Sequence, residues 1–199
     1  DINEISIVIV HDEYGDSVKE HFKKSFLGRI AFEESFETSE KDFKTIISKI
    51  PANQTIFFIG YPANYISFLR SRKELGRDNL IISTDNIASR FVLESVGSEL
   101  LHNVYSPANY PASFAMQDGN FSEAFFQKFG KKPDWAAPFG YDMLLVLDAV
   151  QKSGKMPIDA LYEIQLEGIN GTIRFDSNRE VNFQMIPAKL ENGFVEKIK

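Results

Sequence analysis

Four times in succession an apolar run of strand length is followed by a segment with helical spacing, and no other feature of the chain restricts its fold so strongly. The first run, residues 5–10, is apolar at every position except Ser6, as expected for a strand covered by helices on both faces. After it Asp16 is placed to cap a helix in which Val18, Phe22 and Phe26 recur at four-residue spacing, with Gly28 placed to end it. "RIAFEESF" then reads as a second strand. "TSEKDFKTIISKI" reads as a helix that starts between Ser39 and Asp42, carries Phe43, Ile46, Ile47 and Ile50 on one face, and stops at Pro51. "TIFFIG" is the third strand, followed by a helix over residues 62–75 with Gly76 as its cap, and "NLIIST" with "DNIASRFVLESVG" makes the fourth unit. This alternation predicts a parallel sheet with helices on both faces, an α/β fold, because right-handed crossovers leave little else. In such sheets a ligand sits outside the carboxyl ends of the strands, which singles out residues 11–14, 60–65 and 83–86.

The alternation stops at "LLHNVYSPANYPAS", whose prolines, small residues and tyrosines predict an extended connection that crosses between two lobes. Two helices follow, "NFSEAFFQKFG" and "DWAAPFGYDMLLVLDAVQKSG", the second expected to have Pro138 in its first turn. A short helix at 157–164 leads into a β tail: "GTIRFD", then "VNFQMIPAKL", then "NG" turning into "FVEKI" as a hairpin.

Composition narrows the function. A net charge of -6 argues against nucleic acid or an anionic membrane as the main partner, since both are bound by basic surfaces. With no cysteine there is no disulfide framework, thiolate metal site or cysteine nucleophile. The histidines at 11, 21 and 102 form no spacing that would hold zinc on one helix face. The strand-to-helix turns lack the glycine patterns that cradle phosphates, and no serine stands in a nucleophile-elbow context. No metal, cofactor or catalytic residue is therefore assigned.

Among the strand ends, His11 with Asp12 or Glu13 could be written as a base and its orienting acid, but neighbouring side chains at a strand end point apart. The segment reads instead as a turn and ligand rim. Asp85 is more informative, because it ends a buried strand beside Ser83, Thr84 and Asn86, where a carboxylate can meet an ammonium group. Capping of the next helix by Asp85 or Asn86 is the competing reading. Tyr14 and Tyr61 each offer a flat apolar face and one hydroxyl at two further strand ends. Trp135, Phe139 and Tyr141 have the spacing of core residues, with a ligand contact as the alternative.

Taken in order, "VIVHDEYGDSVKEHFKKSF", "ETSEKDFKTIISKI", "TIFFIGYPANYISFLRSRKELG", "FSEAFFQKFGKKPDWAAPFGYDMLLVLDAVQKSG" and "INGTIRFDSNREV" with "LENGFV" resemble the type I periplasmic binding proteins of the branched-chain amino acid group. The resemblance runs over almost the whole chain but corresponds to about the latter half of such a protein. It implies Rossmann-like lobes that close by a hinge on an amino acid or related small ligand, outside the cytoplasm, for delivery to an ABC permease. It implies that residues 1–112 with 181–199 form the second lobe and 113–180 a crossover and partial first lobe. Carried over by motif, Tyr14, Tyr61 and Asp85 are the ligand residues of the second lobe, Asp85 for the α-ammonium. Ala136 stands where relatives commonly have an aromatic, with Trp135 alongside.

Two further expectations follow. Micromolar binding takes about 8 kcal/mol, and a one-sided site leaves half of a zwitterion unpaired, so these residues alone are expected to bind amino acids no better than millimolar. The 113–180 helices, separated from most of their lobe, are expected to fold back on the sheet or to pack against another copy of the chain. A sensor or envelope regulator with a degenerate cleft, and a small enzyme using His11, are the rival readings.

Overall fold

The computed structural model describes residues 2–109, 120–131, 133–134, 136–183, 185–191 and 194–198. They fall into two compact units, Asp1–Pro107 with Pro187–Lys199, and Ala108–Ile186.

In the first unit, β1 (Glu4–Val10), β2 (Arg29–Phe36), β3 (Thr55–Ile59), β4 (Ile81–Ser83) and β5 (Val104–Asn109) pair in parallel. The sheet order is β2-β1-β3-β4-β5, continued by an antiparallel hairpin of β8 (Met185–Glu191) and β9 (Phe194–Lys197). Alternation along β1 explains both faces: Ile5, Ile7 and Ile9 pack with Val18, Phe22 and Phe26 of α1 (Glu13–Ser25). Val8 and Val10 point the other way, into a core shared with α2 (Lys44–Ser48), α3 (Pro62–Glu74) and α4 (Arg90–Ser95). That core is aromatic at its centre, where the Phe58 ring lies 5.3 Å from Phe36, 5.4 Å from Phe43 and 4.0 Å from Phe68.

Several boundaries differ from the sequence expectation. Asp12, not Asp16, caps α1, its Oδ1 accepting the Gly15 N–H at 2.8 Å. Asp16 lies inside the first turn, bonded to Lys19. The helix ends at Phe26 rather than Gly28, which sits where a Cβ would lie 2.6 Å from the Asn3 carbonyl oxygen. The second helix is only Lys44–Ser48, because the Phe43 ring is drawn into the aromatic core and its N–H is taken by Ser71 Oγ of α3 at 3.1 Å. Phe43, Ile46, Ile47 and Ile50 are buried together as expected. Gly76, with φ +63, closes α3 in the left-handed conformation that glycine adopts at no steric cost. The fourth helix is broken into a 3-10 turn, Asp85–Ala88, and α4.

In the second unit, α5 (Asn120–Phe129), α6 (Ala136–Ser153) and α7 (Pro157–Glu163) precede a hairpin of β6 (Gln165–Gly168) and β7 (Gly171–Arg174). Pro138 falls in the first turn of α6, as its fixed φ favours. The strand β6 was hidden by a sequence with little alternation. The hairpin turn is clasped by the buried Asp142 of α6, whose carboxylate accepts from Ile169 N–H at 2.6 Å, Asn170 N–H at 3.0 Å and Asn170 Nδ2 at 2.8 Å. None of the α5 residues is buried, and Met143 and Leu144 of α6 are each 65% exposed, so in the single chain these helix faces do not find the expected cover. Most of the expected crossing segment, residues 110–119, and the "NG" turn at 192–193 lie outside the described residues.

Candidate functional site

The order β2-β1-β3 places a switch point between β1 and β3, since α1 leaves toward one face and α3 toward the other. The turns that diverge there carry the polar groups. After β1, the chain enters α1 so tightly that a Cβ on Gly15 would lie 2.0 Å from the Val10 carbonyl oxygen, and this close approach brings Tyr14 over the strand ends. After β3, Tyr61 caps α3, with Asn64 Oδ1 accepting the Tyr61 N–H at 3.1 Å. The Tyr14 and Tyr61 rings meet with centroids 5.7 Å apart.

Both hydroxyls have protein partners. The Tyr61 hydroxyl donates to Asp12 Oδ2 at 2.9 Å, so one carboxylate both caps α1 and holds the second tyrosine. The Tyr14 oxygen accepts from Asn86 Nδ2 at 3.1 Å and lies 2.9 Å from Thr84 Oγ1. Thr84 continues a chain inward: its Oγ1 is 3.1 Å from the hydroxyl of the fully buried Tyr65, which accepts from Gly60 N–H at 3.3 Å and from Ser83 Oγ at 3.1 Å. Ser83 also donates to the Phe58 carbonyl at 2.6 Å.

Ser83 has one proton for the Phe58 carbonyl and the Tyr65 oxygen, and the Tyr65–Thr84 and Thr84–Tyr14 bonds can each be donated by either hydroxyl. The Tyr14 oxygen accepts from Asn86 Nδ2, whereas the Tyr61 hydroxyl donates to Asp12 and is left as an acceptor. Burial pushes the Tyr65 phenol up to about 12, which keeps that hydroxyl protonated throughout the neutral range.

Asp85 opens the 3-10 turn beside this cluster. Burial raises its carboxyl above the ordinary range, opposed by its own N–H and that of Asn86. Among the described residues no lysine, arginine or histidine forms an ion pair with it. A half-buried carboxylate facing no cation is where a ligand cation would gain most.

Of the residues singled out from sequence, Tyr14 and Tyr61 are in ring contact and Asp85 follows Thr84, which is bonded to Tyr14. Ala136 opens α6 of the second unit, its N–H bonded to Asp134 Oδ1 at 3.1 Å. Trp135 lies outside the described residues. His11 is exposed. Asp12 and Tyr65 fall within the strand-end segments 11–14 and 60–65 expected at the site, but neither was assigned a ligand contact of its own. At the opposite end of the sheet an open concavity of about 480 Å³ is lined by Arg72, Arg77, Asp78, Glu99 and His102. Arg72 spends its guanidinium there on the carbonyls of Asn79, Leu100 and His102, and so holds the loops.

A doubly wound sheet with no phosphate loop, and with tyrosines and an acid that forms no ion pair among the described residues gathered at its switch point, has the features of a small-molecule-binding α/β protein. The model of one family, periplasmic binding protein, matches residues 7–193, and the chain belongs to that family. Among solved structures, the branched-chain amino acid transporter substrate binding protein LivJ of Streptococcus pneumoniae, in complex with isoleucine, is 18% identical, with a TM-score of 0.84 over 99% of this chain and 60% of its own. A leucine binding protein, LivK, of Thermotoga maritima is 20% identical, with a TM-score of 0.82 over 99% of this chain and 60% of its own. A solute binding protein of an ABC transporter from R. palustris, in complex with benzoate, is 14% identical, with a TM-score of 0.83 over 99% of this chain and 58% of its own. At such identities the likeness is one of fold. The chain spans about 60% of the length of the solved proteins it matches.

Proposed function

We propose that the chain is the ligand-binding second lobe, residues 1–112 with 181–199, and part of the first lobe, residues 113–180, of a solute-binding protein for an amino acid or a closely related amine. In this reading it acts outside the cytoplasmic membrane, without catalysis, and hands its ligand to an ABC permease. Tyr14, Tyr61 and Asp85 take the ligand, and residues 135 and 136 of the second unit are kept as further candidate ligand residues. A second copy of the chain is the partner for the exposed face of α6. The observation that carries the reading is the half-buried Asp85 carboxylate, which forms no ion pair among the described residues and lies between Thr84 and Asn86, both bonded to Tyr14. A ligand ammonium would neutralise it.

Calorimetry and NMR titration of the 199-residue chain with L-leucine test this. The expected dissociation constant is about millimolar or weaker, equivalent to about 4 kcal/mol, because only one side of a zwitterion is satisfied. Asp85→Asn is expected to abolish the response. Micromolar binding would contradict the one-sided site, and shifts at Tyr14 and Tyr61 that persist in Asp85→Asn would remove Asp85 from it.

A further inference from the structure

The carboxylate of Asp12 does two things at once. Its Oδ1 caps α1 through the Gly15 N–H at 2.8 Å, and its Oδ2 takes the Tyr61 hydroxyl proton at 2.9 Å. A helix cap needs only one oxygen, and asparagine or serine would serve as well. The second bond spans 49 positions of sequence, joining the β1–α1 turn to the β3–α3 turn across the switch point. Its consequence is chemical. A phenol that donates to a carboxylate keeps only lone pairs for anything else, and an ionised carboxylate has no proton with which to donate in return. The neighbouring Tyr14 is held differently: its oxygen accepts from Asn86 Nδ2 at 3.1 Å and lies 2.9 Å from Thr84 Oγ1, in a bond that either hydroxyl can donate. Of these two tyrosines, with ring centroids 5.7 Å apart, it is Tyr61 whose hydroxyl is committed to a carboxylate.

We propose that Asp12 is a positioning residue of the binding site: by accepting the hydrogen bond of the Tyr61 hydroxyl it fixes Tyr61 as an acceptor at the strand ends, so that this end of the cleft takes the amine of a ligand and refuses a carboxylate. The proposal rests on the small-ligand function above and adds the polarity of the site. Tyr61 and Asp85 both seek hydrogen-bond donors, which an alkylammonium supplies and a carboxylate lacks. Consistent with this geometry, the Tyr61 phenol is held above its ordinary range, chiefly by its hydrogen bond to Asp12, then by burial, the Asp12 charge and Tyr14.

The test uses the 199-residue chain with ¹³Cζ-labelled tyrosine, Tyr61→Phe assigning the Tyr61 resonance. The probes are 3-methylbutylamine and 4-methylpentanoate, which share an apolar body and differ in the charged end. In Asp12→Asn the amide oxygen can keep the α1 cap while the NH2 faces Tyr61, freeing the Tyr61 proton. The wild-type chain should respond to the amine and not to the acid. In Asp12→Asn the Tyr61 ionisation should move to lower pH, with amine binding weakened about five- to tenfold, the loss of one hydrogen bond to a charged group. A purely structural cap would leave the amine affinity unchanged, since loss of the Asp12 charge moves the Tyr61 titration in either case. An unchanged Tyr61 titration in Asp12→Asn overturns the proposal without reference to any ligand. Unchanged amine affinity despite a shifted titration overturns the positioning role. Binding of the acid in preference to the amine overturns the polarity while leaving a small-ligand function intact, and binding of neither probe by the wild type overturns both.

Discussion

The two units of the chain solve the burial problem to different degrees. In the first, every apolar stripe predicted from the sequence has a partner: Phe58 and Tyr65 are completely buried, and both faces of β1 are covered. In the second, α5 buries none of its residues and α6 buries only Pro138 and Asp142, while Met143, Leu144 and Leu147 are mostly exposed. The difference teaches that the first unit has a core of its own and can hold a preformed rim of polar groups. The second buries fewer apolar side chains, Ala160, Ile164 and Ile173 among them, and adds the Asp142 clasp.

The contrast is broken most directly by truncating one apolar side chain in each unit. Phe58→Ala should destabilise the chain by about 3–5 kcal/mol, because the aromatic core cannot close around the gap. Leu144→Ala should change stability by no more than about 0.5 kcal/mol in a monomer. Denaturant unfolding at low concentration measures both, and a comparable loss at Leu144 would mean that the α6 face is covered in solution. A smaller effect sharpens the picture of the second unit. Asp142→Ala leaves the Ile169 and Asn170 N–H groups without their acceptor and should cost about 1–3 kcal/mol. Hydrogen exchange should accelerate at the β6–β7 turn and stay unchanged in β1 and β3.

Within the first unit, Asp12→Ala should cost about 1 kcal/mol as a lost cap, whereas Asp12→Asn should leave stability nearly unaltered. The least effect concerns pH. Asp85 is raised in the folded chain, so its ionisation opposes folding: that cost is absent below the ordinary carboxylate range and complete once pH exceeds the raised folded value. Asp85→Asn should therefore melt slightly higher than the wild type at pH 7, and the advantage should vanish near pH 3.

Much of this was legible in the sequence because the first unit obeys local rules. Strand runs at 5–10 and 55–59 and the Phe43, Ile46, Ile47, Ile50 stripe express burial that the structure realises. What was not legible depends on contacts distant in sequence. The α2 start moved because Phe43 answers to Phe36, Phe58 and Phe68 rather than to its own turn. Asp12 was read as turn chemistry because its second partner, Tyr61, lies on another element. The same holds for the hydroxyl chain from Ser83 to Tyr14, of which the sequence shows only a polar run and a tyrosine. Tyr14, Tyr61 and Asp85 could be named because each ends a strand, and strand ends of a parallel sheet lie together whatever their order.

The central claim is that Asp85 is an acid waiting for the cation of a ligand. Its carboxyl ¹³C resonance, followed against pH with and without L-leucine at several times its dissociation constant, tests that claim most directly. The account predicts a midpoint above the ordinary carboxylate range in the free chain and a fall in that midpoint when leucine is present. A midpoint that is the same in both titrations would contradict it.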